Sequence, residues 1–458
     1  MRKILLTTVL LSTLNAQALT EQDFVERLRA SHPFFNQQAL SSKIKLIEKR
    51  ATEANEDWVV AIESLYQSQD KDSNDISTTA ANLDTASVGI STSRKYADTG
   101  SDITLTHTWI DKSRSTDTTN NGFSLDYTYP LLRNKDGIND RLSTDVAQIA
   151  ISKNTLEQLE AQESFVLSKL SRFVDLAYAQ EQSLINEQRL ALAKKELNLV
   201  KEKYAASVVE KVDVLLQQDA YQTAKQKHLQ AQQDLTLLRH EIAIMLDLGF
   251  EQIVANTDLY KTYSPNIADL KAYLSKNSRV LKINHLSQKT LKRQLLSFKN
   301  ASEAKLDLNL GVSSAGENSN YSKSLSNQST TWKVGLGLSY PLGGIEANSN
   351  IEKANIELEN LAQSKREQLL NVYTQAKTLK EKIQLLKEMM HSNQAQIEIA
   401  KARTVEEKQR YNNGNGQASF VINAQNNEQV VKLSYTQVAK NYQKSVLEFK
   451  ASIDQLVE

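Results

Sequence analysis

The side chains that most often carry catalysis are sparse and scattered here. Six histidines stand at positions 32, 107, 228, 240, 285 and 391, and none forms a metal-spaced pair. His240-Glu241 matches the first half of a zinc-protease helix motif, but Ile244 occupies the place of the second histidine. Cysteine is absent, which excludes disulfides, thiolate metal sites, a cysteine nucleophile and lipid attachment through an N-terminal Cys. There is no P-loop, dinucleotide fingerprint or nucleophile elbow. Gly335-x-Gly337 lies inside an alternating segment and reads as a strand repeat, not a phosphate cradle. Asn412-Asn413-Gly414-Asn415-Gly416 lacks the acidic ligands of a calcium loop and reads as a turn. With 55 Lys+Arg against 54 Asp+Glu, no bulk attraction to nucleic acid is expected. The expectation is a protein without enzymatic activity, cofactor or metal.

The elements that must do the work are long helices. The 458 residues hold 4 prolines and 13 glycines, where average usage would give roughly 23 and 32. Few breakers mean few interruptions. Residues 1–18 have the layout of a secretory signal peptide: Arg2 and Lys3, a short apolar run, then Ala16-Gln17-Ala18 as a cleavage site. That run is too short to span a bilayer, which takes about 20 residues, and no later segment supplies one. A mean hydropathy of −0.47 excludes a multi-helix membrane protein. Any entry into a membrane must use β-strands.

The remainder is one plan written twice. Tyr129-Pro130-Leu131 closes an alternating segment and a long helical pattern follows; Tyr340-Pro341-Leu342 does the same. Each long helix runs to a tyrosine and a short break, at Tyr204-Ala205-Ala206-Ser207 and Tyr411-Asn412-Asn413-Gly414. Leu369, Val372, Ala376, Leu379, Ile383, Leu386, Met390, Asn393, Ile397, Ala400, Thr404, Glu407 and Tyr411 alternate three- and four-residue steps, a heptad seam. The first copy is rougher, through Leu190, Ala193, Leu197, Val200 and Tyr204. The expected boundaries are a first repeat at 19–247, with a short helix, membrane strands at 87–130, a long helix at 139–205 and a return helix at 212–247. An equatorial segment at 248–277 follows, then a second repeat at 278–458, with helix 278–303, strands 305–341, long helix 345–411 and return helix 418–455. Each long helix would be a rod of roughly 95–100 Å at 1.5 Å per residue. A return helix little more than half as long cannot cover its seam. Residues 278–303 and the pattern at 37–69 are expected to cover the rest as helices.

The strands decide the environment. Trp332, Val334, Leu336, Leu338 and Tyr340 share one face, and Thr331, Lys333, Gly335, Gly337 and Ser339 the other. Leu306, Leu308, Leu310 and Val312 oppose Asp307, Asn309, Gly311 and Ser313. Phe123, Leu125, Tyr127 and Tyr129 oppose Ser124, Asp126 and Thr128. Ile103, Leu105 and Trp109 share their face with His107, and a further extended piece lies at 87–94. About 9–11 residues of apolar-out, polar-in alternation with aromatic ends is the pattern of an outer-membrane barrel strand. The apolar positions are therefore candidates to face lipid. Four strands cannot close a barrel. Two copies would supply about 8 and three about 12, and open edges in hydrocarbon are not tolerated. The expected fold class is mixed, mainly α: coiled-coil helices forming an α-barrel tunnel, plus a four-strand-per-chain contribution to a transmembrane β-barrel. A soluble periplasmic coiled-coil adaptor or scaffold is the alternative.

In this order, Tyr129-Pro130-Leu131-Leu132-Arg133, Tyr340-Pro341-Leu342-Gly343-Gly344 and Tyr411-Asn412-Asn413-Gly414 resemble the TolC family of outer-membrane channels over nearly the whole mature chain. The resemblance implies a homotrimer with a barrel of about 12 strands in outer-membrane lipid and a helical tunnel crossing the periplasm. It implies docking to a periplasmic adaptor (membrane fusion) protein and an inner-membrane pump, with efflux or type I secretion as the task. It also implies a gate near the helix turns. Asp213, Tyr204, Tyr411 and Asn423 are the gate candidates, and Ser207, Gly414 and Gly416 the turn positions an adaptor would meet. The carry-over is partial. Gly416 stands where the family places an arginine, and Phe420 and Asn423 where it places acids. Asp213 reads equally well as a helix N-terminal residue favoured by the dipole. Three Asn423 side chains would carry no charge, so multivalent cations are expected to block conductance weakly in planar bilayers. Strong block that Asn423→Ala abolishes would contradict this.

Overall fold

The structure is a computed structural model and describes residues 18–70, 83–113, 117–250, 253–265 and 267–457. The expected signal segment lies outside them except for Ala18. The helices are α1 (Glu21–Ser31), α2 (Pro33–Thr52), α3 (Leu142–Ala205), α4 (Lys211–Leu246), α5 (Leu270–Asn277), α6 (Arg279–Ala301), α7 (Tyr321–Ser326), α8 (Ile345–Asn412) and α9 (Ala418–Ser452). The strands are β1 (Val59–Gln69), β2 (Leu83–Tyr96), β3 (Ser101–Ser113), β4 (Thr118–Pro130), β5 (Lys305–Asn318) and β6 (Ser329–Ser339). No described helix is long and apolar enough to cross a membrane. The chain divides into two compact units, and each draws on both halves of the sequence.

The unit built from Leu40–Leu156 and Lys282–Arg366 contains the sheet. All neighbours are antiparallel, in the order β1-β2-β3-β4-β5-β6. Six strands replace the four that sequence alternation suggests. The helical pattern expected at 37–69 ends with α2 at Thr52, and β1 occupies 59–69. Trp58, Val59, Val60, Ile62 and Tyr66 explain the switch, since β-branched and aromatic side chains favour a pleated surface over a helix. The extended piece expected at 87–94 is the middle of β2. The polar stretch 314–329 between the last two strands is largely structured: β5 runs on to Asn318, and Asn320 caps α7 through the backbone amides of Ser322 and Lys323.

Both Tyr-Pro pairs sit where a strand gives way to a helix, and proline cannot donate to a further ladder bond. After Pro130, Asn134 adopts φ 68°. Its amide donates to Asn300 Oδ1 at 2.7 Å, and Asn139 Nδ2 donates to the same oxygen at 2.9 Å. Gly137 has φ +61°, and a Cβ there would lie 1.5 Å from the Ala97 carbonyl oxygen, so no other residue fits. After Pro341, Gly343 and Gly344 take φ 101° and 50°.

The other unit takes its residues from Met1–Ala39, Glu157–Leu281 and Glu367–Glu458 and holds the main apolar core. Phe24 and Leu28 of α1 are buried, with Phe24 stacked on Phe173 of α3 at 4.9 Å. Ala376, Leu379, Ile383, Met390, Ile397 and Ala400 of the α8 seam are buried, and its remaining members are at least half-shielded. The irregular segment 253–265 is pegged down by side chains. Gln180 bonds both backbone groups of Ala255 (2.8 and 3.1 Å), and the buried Tyr442 hydroxyl accepts from Tyr263 N (2.7 Å) and donates to its carbonyl (3.0 Å).

A buried ion cluster ties residues 454–457 to this core. Arg279 donates to Glu163 (3.1 and 3.4 Å), and its Nη2 also donates to the carbonyls of Asp454 (3.3 Å) and Val457 (3.1 Å). Glu163 in turn accepts from the amides of Leu456 and Val457. Glu160 stands 3.5 Å from the same guanidinium, but burial, with Asp454 adding repulsion, pushes its pKa from 4.5 up to about 7. Arg279→Ala strands a buried carboxylate and should cost about 3–5 kcal/mol in denaturant unfolding. The proton on Glu160 is bound more tightly folded than unfolded. Its contribution is therefore complete below pH 4.5 and is lost as pH rises towards 7. Thermal melts should show wild type losing stability across that window relative to Glu160→Gln.

Candidate membrane wall and hairpin tip

The register of the sheet decides what each face presents. Residues directly opposite one another point to the same side. One row across all six strands reads Val60, Thr92, Leu105, Leu125, Val312, Trp332. A second row on that face reads Arg94, Ile103, Tyr127, Leu310, Val334 from β2 to β6. Leu308 pairs with Leu336 and Leu306 with Leu338, and Phe123 lies beside His107 and Ile90. The sequence-derived lipid-facing candidates in the strands therefore form one continuous apolar band; Tyr340 follows the end of β6. His107 fits the band because its ring stacks on Phe123 at 4.2 Å and its Nδ1 meets the Gly122 carbonyl at 3.1 Å.

The opposite face is polar. The row between the two above reads Val59, Ser93, Thr104, Asp126, Gly311, Lys333, and the row on the other side of the first reads Ala61, Ser91, Thr106, Ser124, Ser313, Thr331. Asn309 and Asp307 continue it on β5, and Thr128 Oγ1 donates to Asn309 Oδ1 at 3.2 Å. The edge strand β1 alternates least cleanly, since Val59 and Leu65 fall on the polar side. Its register is nevertheless fixed by β2. On β6, Trp332 and Val334 are 80% and 78% exposed. Among the described residues of the sheet unit, nothing covers them.

In the helical unit the two hairpin turns come together. Tyr411 lies at the end of α8, with the Lys203 ammonium of α3 4.9 Å from its ring centre. Burial raises the Tyr411 pKa, and the charges of Asp213 and Glu196 raise it further. Its hydroxyl has no hydrogen-bonding partner among the described residues. Asp213 sits at the start of α4, where it accepts from the Glu210 amide at 3.3 Å; this is the helix-terminal role. Ser207 turns the chain with φ 59°, and Gly414 does so with φ 80°. Tyr204, Ser207, Gly414 and Asn423 are exposed. Gly416 is required by space, because a Cβ would lie 2.9 Å from the Tyr411 backbone nitrogen. An arginine cannot occupy that position without moving the turn.

Below the turns runs a buried polar seam between α3 and α9 that sequence reading missed. Glu196 accepts from Gln425 (2.8 Å) and from Lys408 (3.1 Å). Gln429 donates to Asn186 at 2.9 Å and Arg189 to Asn426 at 3.0 Å. Glu196, Arg189, Asn186, Gln425 and Gln429 are all buried. A signal was present: Asn186, Arg189, Ala193, Glu196 and Val200 share the three–four spacing of the apolar seam.

No family model matches the chain, and no curated protein sequence matches it. Solved structures do. CusC, whose structures follow folding and transmembrane channel formation, superposes with a TM-score of 0.69 at 11% identity over 94% of this chain and 91% of its own. The outer membrane protein VceC of Vibrio cholerae gives 0.66 at 11% over 95% and 96%. The open-state MtrE outer membrane channel of Neisseria gonorrhoeae gives 0.67 at 12% over 95% and 89%. The fold is that of the TolC-type outer-membrane channels. Within it, the apolar band belongs to the sheet and the tyrosine-bearing turns to the long helices.

Gly416→Ala should destabilise the turn by about 1–3 kcal/mol, whereas Tyr411→Phe, which removes an unbonded hydroxyl, should stay within about 0.5 kcal/mol. Hydrogen exchange of peptides covering 405–420 would separate the two.

Proposed function

We propose that this chain is a trimeric outer-membrane channel-tunnel that passes small molecules or proteins, delivered by an inner-membrane pump and a periplasmic adaptor, to the cell exterior. The observation that carries the reading is the mainly apolar band spanning six hydrogen-bonded strands, backed by a face that is polar from β2 to β6, in a TolC-type fold. A sheet with one apolar and one polar side suits a wall between hydrocarbon and water. The scarcity of catalytic motifs suits a passive conduit, whose energy comes from elsewhere. The exposed turns carrying Ser207, Gly414 and Gly416 are the proposed adaptor contact. Asp213, Tyr204, Tyr411 and Asn423 are the proposed gate region, with Tyr411 and Asp213 at its centre. The two repeats at 19–247 and 278–458, the equatorial segment at 248–277 and a signal peptide at 1–18 are part of the same proposal.

Membrane fractionation and single-channel recording in planar bilayers test it. Leu336→Arg on the apolar face should cost about 2–4 kcal/mol near the bilayer midplane and reduce the assembled, detergent-extractable protein. Gly335→Arg on the polar face has open space and should still insert, shifting ion selectivity towards anions. Recovery of the wild-type chain as a water-soluble monomer without conductance would favour the scaffold reading instead.

A further inference from the structure

The sheet ends in two free edges. Among the described residues β1 pairs only with β2, and β6 only with β5. Both edge strands contain 11 residues and are exposed along their whole length. Six successive antiparallel strands leave β1 and β6 running in opposite directions. A β6 edge from one copy can therefore add to a β1 edge of another in the same antiparallel sense as every other pair in the sheet. The apolar rows reach both edges: Val60 and Ile62 at one, Trp332 and Val334 at the other.

We propose that β1 of each copy forms backbone hydrogen bonds with β6 of the next, so that all six strands of each chain enter the barrel wall. This rests on the channel reading above and goes beyond it. The occupant of each edge is a second copy of this chain, because β1 and β6 of one copy point their unpaired backbone groups away from the sheet at opposite ends. Such a head-to-tail contact closes into a ring. Three copies would give a barrel of about 18 strands, in the porin range where the interior is an aqueous channel. Pairing that begins at β3, leaving the β1–β2 hairpin outside, would give about 12. The first alternative leaves no apolar side chains of β2 in water and no ladder bonds of β2 broken. The polar row Ala61, Ser91, Thr106, Ser124, Ser313, Thr331 would then be repeated around the lumen.

Absence of cysteine gives a clean background for the test. Ala61→Cys or Gln67→Cys on β1 is combined with Thr331→Cys, Gly335→Cys or Ser339→Cys on β6, all on the polar face. The full-length protein is oxidised in native membranes and run without reductant. The expected result is a disulfide-linked ring of three copies for the pairs in register, and none when Thr106→Cys on β3 replaces the β1 cysteine. Rings formed through Thr106→Cys, β1–β6 disulfides confined to single copies, or an assembled channel in which none of the β1–β6 pairs cross-links would each overturn the proposal while leaving the channel reading intact. A chain found outside the membrane fraction would overturn both.

Discussion

Peptide groups have no water to bond in hydrocarbon, so a chain that enters a bilayer as strands must pair every one of them. In the channel reading proposed above, that demand organises the sheet. Register across five successive antiparallel pairings keeps like with like, so that Leu105, Leu125, Val312 and Trp332 fall in one line and Thr106, Ser124, Ser313 and Thr331 in the next. A slip of one residue in any pairing would send leucines into the polar face of its neighbour. The band is therefore a property of the register as much as of composition. Even His107 obeys it, by stacking its ring on Phe123.

The helical unit answers a different demand. Its long helices meet through small and apolar seam residues, as at Ala376, Ala400 and Ala193, and through bonded polar pairs interleaved with them. Glu196 with Gln425 and Lys408, and Asn186 with Gln429, contribute little net stability compared with leucines of the same volume. They do specify alignment, because a shift by one helical turn would leave several of them buried and unbonded. Gly416 fixes the same alignment from the turn itself, where only a hydrogen fits against Tyr411.

How much was legible in the sequence follows from which signals were periodic. Trp332 to Ser339 and Leu306 to Ser313 alternate without a break, and the structure makes them β6 and β5. The α8 heptad from Leu369 to Tyr411 likewise shows its shielded side in the expected places. β1 escaped because Val59 and Leu65 blur its alternation, and because the apolar residues of α2 immediately before it invite a helical reading. Its partner β2 was visible only as 87–94, since Ser, Thr and Gly fill its polar side and Asp84 and Arg94 lie on the other. The buried Arg189, Glu196 and Gln425 were unreadable for a simpler reason: charged and amide residues on a long helix usually face solvent, and only their partners on another segment reveal otherwise. Tyr411 was found from its place before a turn, yet its proximity to Lys203 depends on two hairpins distant in sequence.

The Arg279 cluster carries an implication for how the molecule comes into being. Glu163 and Arg279 are both synthesised before residues 454–457, whose amides donate to the carboxylate and whose carbonyls accept from the guanidinium. Until those residues arrive, the carboxylate on α3 and the guanidinium on α6 have an unfinished set of partners. The helical unit thus closes only once three segments far apart in sequence have met. Removing residues 454–457 would keep every described helix and still remove that closure.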